Sequence, residues 1–174
     1  MKKILLTAVL AMIMMTAWSQ EKTEKHGKLP AVTIKSIDGA SFNTSTIDNG
    51  GKPIMICFWA TWCKPCVKEL TAISDVYDEW VEETGVKIYA VSIDDARSSS
   101  RVQPFVNGRG WDFQVLLDEN SAFRKAMNVV NPPHTFILNA SKEIIYQHPA
   151  YVDGDEKQYI EVVRKVLKGE EIKE

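Results

Sequence analysis

Cysteine is scarce in this chain: there are three in 174 residues, at positions 57, 63 and 66. A scaffold stapled by disulfides carries more cysteines, spread along its length, so this clustering points to chemistry rather than stapling. Histidine is as sparse, with His26, His134 and His148 far apart. Zinc needs four ligands, and no second Cys-x-x-Cys pair exists to supply them, so no metal is expected. There is no excess of one charge. A formal net charge of −2 gives no electrostatic case for nucleic acid or an anionic membrane surface. Repeats and low-complexity tracts are absent, and 45% hydrophobic with 25% charged residues describes an ordinary globular protein. The length fits one domain with a sizeable core.

A long apolar run is missing too. The stretch from Ile4 to Ala17 offers about 15 residues, short of the roughly 20 that span a bilayer. It follows Lys2 and Lys3 and precedes Ala17-Trp18-Ser19, with small residues at alternate positions. That is the layout of a secretory signal peptide, expected to be cleaved after Ser19, with an uncleaved anchor as the alternative. No cysteine stands at the cleavage point for a lipid anchor. The expected organisation is a signal peptide at 1–19, a flexible polar lead at 20–28 and a folded domain at 29–174, exported to the periplasm. Outside the cytosol thiols tend to pair, and an odd number leaves one over.

Along the folded part, Val32, Ile34 and Ile37, the turn Asp38-Gly39, then Phe42 read as a hairpin or edge strands. Ile54 to Trp59 is apolar without alternation, which suits a strand buried on both faces. From Cys63 the period changes: Val67, Leu70, Ile73, Tyr77, Trp80 and Val81 form one helical stripe, which Gly85 is placed to end. Val86 to Ile93 alternates like a strand. A short helix is expected within Ser98 to Asn107, a strand at Phe113 to Leu117, and a helix capped by Asn120 or Ser121 running to Met127. Thr135 to Leu138 and Ile144 to Tyr146 read as a hairpin. Ile160, Val163, Val166 and Leu167 mark a last amphipathic helix. This order implies an α/β fold with a mixed sheet flanked by helices.

Two cysteines at a helix start have a physical logic. Residues i and i+3 lie roughly 5–6 Å apart on one turn, near enough for a disulfide to form and break without refolding. The first-turn amides lack helical partners and the dipole is positive there, so a thiolate at Cys63 is stabilised, and the thiolate is the nucleophile. Pro65 fits a turn that tolerates a residue without N–H. Lys64 adds positive charge nearby. Cys66, one turn in, is the more sheltered thiol.

The stretch Trp59-Ala60-Thr61-Trp62-Cys63-Lys64-Pro65-Cys66 resembles the active site of the thioredoxin superfamily, and within it the TlpA/ResA-like branch of exported thiol–disulfide oxidoreductases. A β-rich N-terminal extension, an insertion near Asp94 to Trp111 and a proline before Thr135 match as well, so the resemblance runs from about Leu29 to Lys168. It implies a thioredoxin-like fold with Cys63 attacking, Cys66 resolving and Glu69, three residues on, moving protons to or from Cys66. Pro133 takes the place of the family's cis-proline beside the disulfide. Trp62 is expected as an apolar rim where a partner docks, with Pro133 and His134 lining the substrate groove. Pro132 departs from the pattern, because it has no N–H to offer a substrate backbone. Cys57 stands where thioredoxins proper carry a buried acid, and reads as a small core residue, as do Trp59 and Trp80.

The resemblance implies a monomeric enzyme without cofactor that reduces disulfide-bearing proteins and is itself re-reduced by a membrane electron donor. Apocytochrome c is one substrate the family suggests. Two rivals stay open. A thiol peroxidase would use a donor such as Thr61 beside its cysteine; a non-catalytic binding module would use the groove alone.

Overall fold

The computed structural model describes residues 27–170 and residue 172. The expected signal peptide, its cleavage point and nearly all of the lead lie outside the described residues. The lead's last residues join the sheet edge: Lys28 bridges Glu143, and the Ile144 N–H donates to the Gly27 carbonyl at 3.0 Å.

Seven strands form one mixed sheet: β1 (Thr33–Ser36), β2 (Ser41–Asn43), β3 (Ile54–Trp59), β4 (Lys87–Ser92), β5 (Gln114–Leu117), β6 (His134–Leu138) and β7 (Ile144–His148). Their spatial order is β2-β1-β5-β4-β3-β6-β7. The central strands β3, β4 and β5 run parallel, while β6 and β1 close the two sides antiparallel. Every residue of β3 is buried, as its unbroken apolar run predicts for a central strand. β4 differs from its alternating pattern. Five of its six residues are buried, because both of its neighbours are strands and helices cover it.

Among the described residues five α-helices complete the fold: α1 (Lys64–Ser74), α2 (Tyr77–Thr84), α3 (Val102–Asn107), α4 (Ala122–Ala126) and α5 (Asp155–Lys168). The single stripe expected from Val67 to Val81 is two helices, broken at Asp75 and Val76. The second helix turns so that Tyr77 reaches the sheet, where its hydroxyl accepts the Ile88 N–H at 3.4 Å and its ring meets Phe113 edge-on at 5.1 Å. Val81 consequently ends exposed. Gly85 does end α2, in the left-handed conformation (φ 65°) that glycine adopts without a Cβ penalty.

The start of α4 corrects the capping expectation. Ser121 makes no side-chain cap; the Asp118 carboxylate accepts the N–H groups of Phe123 at 3.1 Å and Arg124 at 2.7 Å. In α5 the expected Ile160 and Val163 are buried together with Tyr159 and Val162 and Val166 packs against the core, while Leu167 is exposed.

Alternation along β3 separates two environments. Phe58 packs on Phe123 of α4, ring centroids 5.2 Å apart, while neighbouring Cys57 faces the opposite side, toward Glu69 of α1. The predicted cost of removing the α4 cap is modest: Asp118→Ala should lower stability by about 1–2 kcal/mol, read as a lower urea midpoint, and Asp118→Asn should restore most of it.

Candidate active site

β3 ends at Trp59, and the chain turns through Ala60, Thr61 and Trp62 into α1. Asp94, buried just beyond β4, anchors this turn. Its carboxylate accepts the Thr61 backbone N–H at 2.8 Å, the Thr61 hydroxyl at 2.6 Å and the Ser92 hydroxyl at 2.8 Å. A carboxylate so buried is tolerable because donors meet it.

Cys63 is the N-cap of α1, whose first helical residue is Lys64, one later than the expected start at Cys63. Its Sγ accepts the Cys66 N–H at 3.3 Å, and its carbonyl accepts the Val67 N–H at 3.0 Å. Pro65 stands in the first turn, where an N–H would lack a helical partner. Cys63 and Cys66 are joined as a disulfide, with Cα atoms 5.3 Å apart. Cys63 retains 5% exposure and Cys66 none, so an incoming group reaches the first sulfur. Trp62 beside it is 63% exposed.

One turn beyond Cys66, Glu69 points into the core and is fully buried. Its Oε1 accepts two hydroxyls, from Thr135 of β6 and Tyr159 of α5, each at 2.9 Å. Its Oε2 has no hydrogen-bond partner. Burial pushes the carboxyl up from an ordinary 4.5 to about 7; the two hydrogen bonds resist the rise and Asp155 adds to it. Charging this group without water is costly, which is why it titrates near neutrality.

Cys57 completes the cluster. It lies opposite Thr135 in the β3–β6 register and hydrogen-bonds with the Thr135 hydroxyl. That hydrogen bond favours the thiolate. Burial, then the Glu69 charge, pushes the Cys57 thiol well up and keeps it protonated.

The Pro132–Pro133 peptide bond is cis. Since Phe58 pairs with His134, Pro133 sits beside the end of β3, at the edge where Cys63 emerges. His134 is 7% exposed, stacked on Phe136 with centroids 4.3 Å apart, and its Nε2 lies 3.3 Å from the Gln147 side-chain oxygen. Burial first, with His148 adding, holds its pKa below the ordinary range, so it is neutral at pH 7. Trp59 and Trp80 are core side chains. Trp111, at the end of the insertion, is buried and meets Trp59 edge-on at 5.2 Å. Among the described residues no cluster of three or more His, Cys, Asp or Glu side chains is arranged to hold a metal.

Sequence reasoning missed Tyr159, Thr135 and Asp94. Only Tyr159 left a trace, as a tyrosine at the edge of an apolar stripe, where a buried hydroxyl needs a partner.

Comparison with known proteins places this geometry among relatives. The AhpC/TSA family model matches residues 26–147. Sporulation thiol-disulfide oxidoreductase A of Bacillus subtilis is 29% identical over 147 residues, covering 82% of this chain and 87% of the relative. Thiol-disulfide oxidoreductase ResA of Geobacillus kaustophilus is 29% identical over 149 residues, covering 83% of each. A solution structure of an uncharacterised thioredoxin-like protein from Porphyromonas gingivalis superposes with a TM-score of 0.73 at 46% identity, covering 80% of this chain and 92% of the other. The expected thioredoxin-like fold is therefore present.

The buried acid leaves a mark on stability. Between 4.5 and about 7 the folded protein binds a proton at Glu69 that the unfolded chain has lost, so stability falls as pH rises through that window. The full effect is about 3 kcal/mol. Denaturant melts of the oxidised protein from pH 4 to 8 should show this fall, and Glu69→Gln should remove it, becoming the more stable protein above pH 7.

Proposed function

The chain belongs to the AhpC/TSA family, and we propose that it serves there as an exported thiol–disulfide oxidoreductase that reduces disulfides in other proteins. The observation carrying this reading is a Cys63–Cys66 disulfide at the start of α1 with a buried Glu69 one turn behind it. Its relatives, thiol-disulfide oxidoreductases by name, support it.

In the reduced protein, the Cys63 thiolate attacks one sulfur of a substrate disulfide. A mixed disulfide forms and one substrate thiolate leaves. Glu69, as carboxylate, takes the proton from the Cys66 thiol. The Cys66 thiolate then attacks Cys63 Sγ, the second substrate thiolate leaves, and the internal disulfide re-forms. Two electrons have passed to the substrate, whose thiolates take up protons. Renewal requires a dithiol donor, which for an exported protein means one at the membrane. We assign the couple to the lower half of the span from about −270 to about −120 mV covered by this fold.

Trp62 and Pro133 form the proposed docking rim. His134, its ring held by Phe136 and Gln147, contributes by supporting the Pro133 turn. Pro132 leaves that turn only a carbonyl to offer a partner's backbone. The peroxidase alternative loses its donor, because the Thr61 hydroxyl is given to Asp94. The binding-module alternative has no use for a reversible disulfide backed by an acid.

The trap experiment is direct. Cys66→Ser should accumulate mixed disulfides through Cys63 in the native compartment, and apocytochrome c is one partner to look for among them. Absence of any trapped species contradicts the reading. Glu69→Gln should slow resolution of the mixed disulfide about a hundredfold at pH 7, measured by quenched-flow alkylation, while leaving the first attack by Cys63 nearly unchanged.

A further inference from the structure

Two hydroxyls converge on one oxygen of Glu69, and the other oxygen is left alone. Thr135 approaches from β6 and Tyr159 from α5, both donating to Oε1 at 2.9 Å. Both hydroxyls act as donors to this oxygen. Burial and the neighbouring Glu69 push the Tyr159 hydroxyl far above its ordinary value, so it stays protonated. The Thr135 hydroxyl has Glu69 Oε1 as its hydrogen-bond acceptor. An oxygen accepting two hydroxyl protons has no direction left for a proton of its own toward those partners. When Glu69 is neutral, its proton therefore belongs on Oε2, the buried oxygen without a partner.

We propose that Tyr159 is a positioning residue of the redox centre: together with Thr135 it fixes Oε1 as acceptor and so assigns the exchangeable proton of Glu69 to Oε2. The inference rests on the reading of Glu69 as the proton acceptor of Cys66. It makes the C-terminal helix, which carries none of the cysteines, part of the proton chemistry. Tyr159 is joined to the sheet as well, its ring meeting His148 edge-on at 5.9 Å.

The groups around Glu69 fix the direction of the test. Cys57 faces it from β3, Thr135 from β6, and Tyr159 and Asp155 from α5, with Asp155 hydrogen-bonded at 3.0 Å to His148 of β7. Cys66 lies one turn back on its own helix. Of these, the two hydroxyls alone favour the charged carboxylate, while Asp155 opposes it. Removing either hydroxyl should raise the Glu69 midpoint, and a hydrogen bond to a charged group corresponds to about one pH unit.

The experiment follows the Glu69 carboxyl carbon by NMR across pH in the oxidised full chain, for wild type, Tyr159→Phe and Thr135→Val. The expected result is an upward shift of about one unit in each variant, with the pH midpoint of mixed-disulfide resolution moving by the same amount. A variant that melts lower yet titrates at the wild-type midpoint would reduce Tyr159 to packing and overturn the proposal. Thr135→Val keeps the question answerable if Tyr159→Phe does not fold. If the carboxyl midpoint moves while resolution ignores it, Tyr159 positions Glu69 as proposed, and the reading of Glu69 as the acceptor for Cys66 is what fails.

Discussion

The N–H groups of a helix's first turn have no partners within the helix, and in this protein a sulfur is placed against them. Everything else about the centre follows from holding that arrangement still. β3 is buried on both faces and delivers the chain to one edge of the sheet. Asp94 pins the turn that follows through both the amide and the hydroxyl of Thr61. Cys63 then caps α1 with its own sulfur, so the helix starts where the nucleophile is. A negative charge forming there meets aligned amides rather than reorganising water, which is the general source of cheap charge stabilisation at such termini.

The second sulfur has the opposite environment. Cys66 is fully buried, where forming a thiolate is costly. In the proposed mechanism its help comes from an acid one turn along the helix rather than from the strand beneath. Cys57, on that strand, is too reluctant to ionise to serve. Strand, helix and C-terminal helix thus meet at one carboxyl oxygen. The proposed division of labour is simple: amides lower the cost of charge at the outer sulfur, and an acid titrating near neutral pH moves a proton at the inner one.

Local patterns disclosed most of the framework. The apolar run of β3, the change to helical period after Cys63, Gly85 as a stop and the hairpin of β6 and β7 all depend on neighbours in sequence, and all are present. The Cys-x-x-Cys spacing needed only one turn of helix to become a site. What stayed hidden depends on contacts between distant segments. Thr135 and Tyr159 reach Glu69 across 66 and 90 residues, and no periodicity encodes such a meeting. The break between α1 and α2 was hidden for the same reason, since Tyr77 is held by Ile88 and Phe113. Pro133 shows the limit from another side: its cis bond is a minority state of any X–Pro pair, and only the family resemblance suggested it.

The central claim concerns the charge on one sulfur, and thiolate absorbance at 240 nm measures it. In the fully reduced protein, with Cys66 and Cys57 replaced by serine in a control, the Cys63 thiol should titrate clearly below the value of about 8.5 of a free cysteine. A Cys63 midpoint at or above that value would mean that the amides of α1 do not stabilise the thiolate, and would contradict the claim.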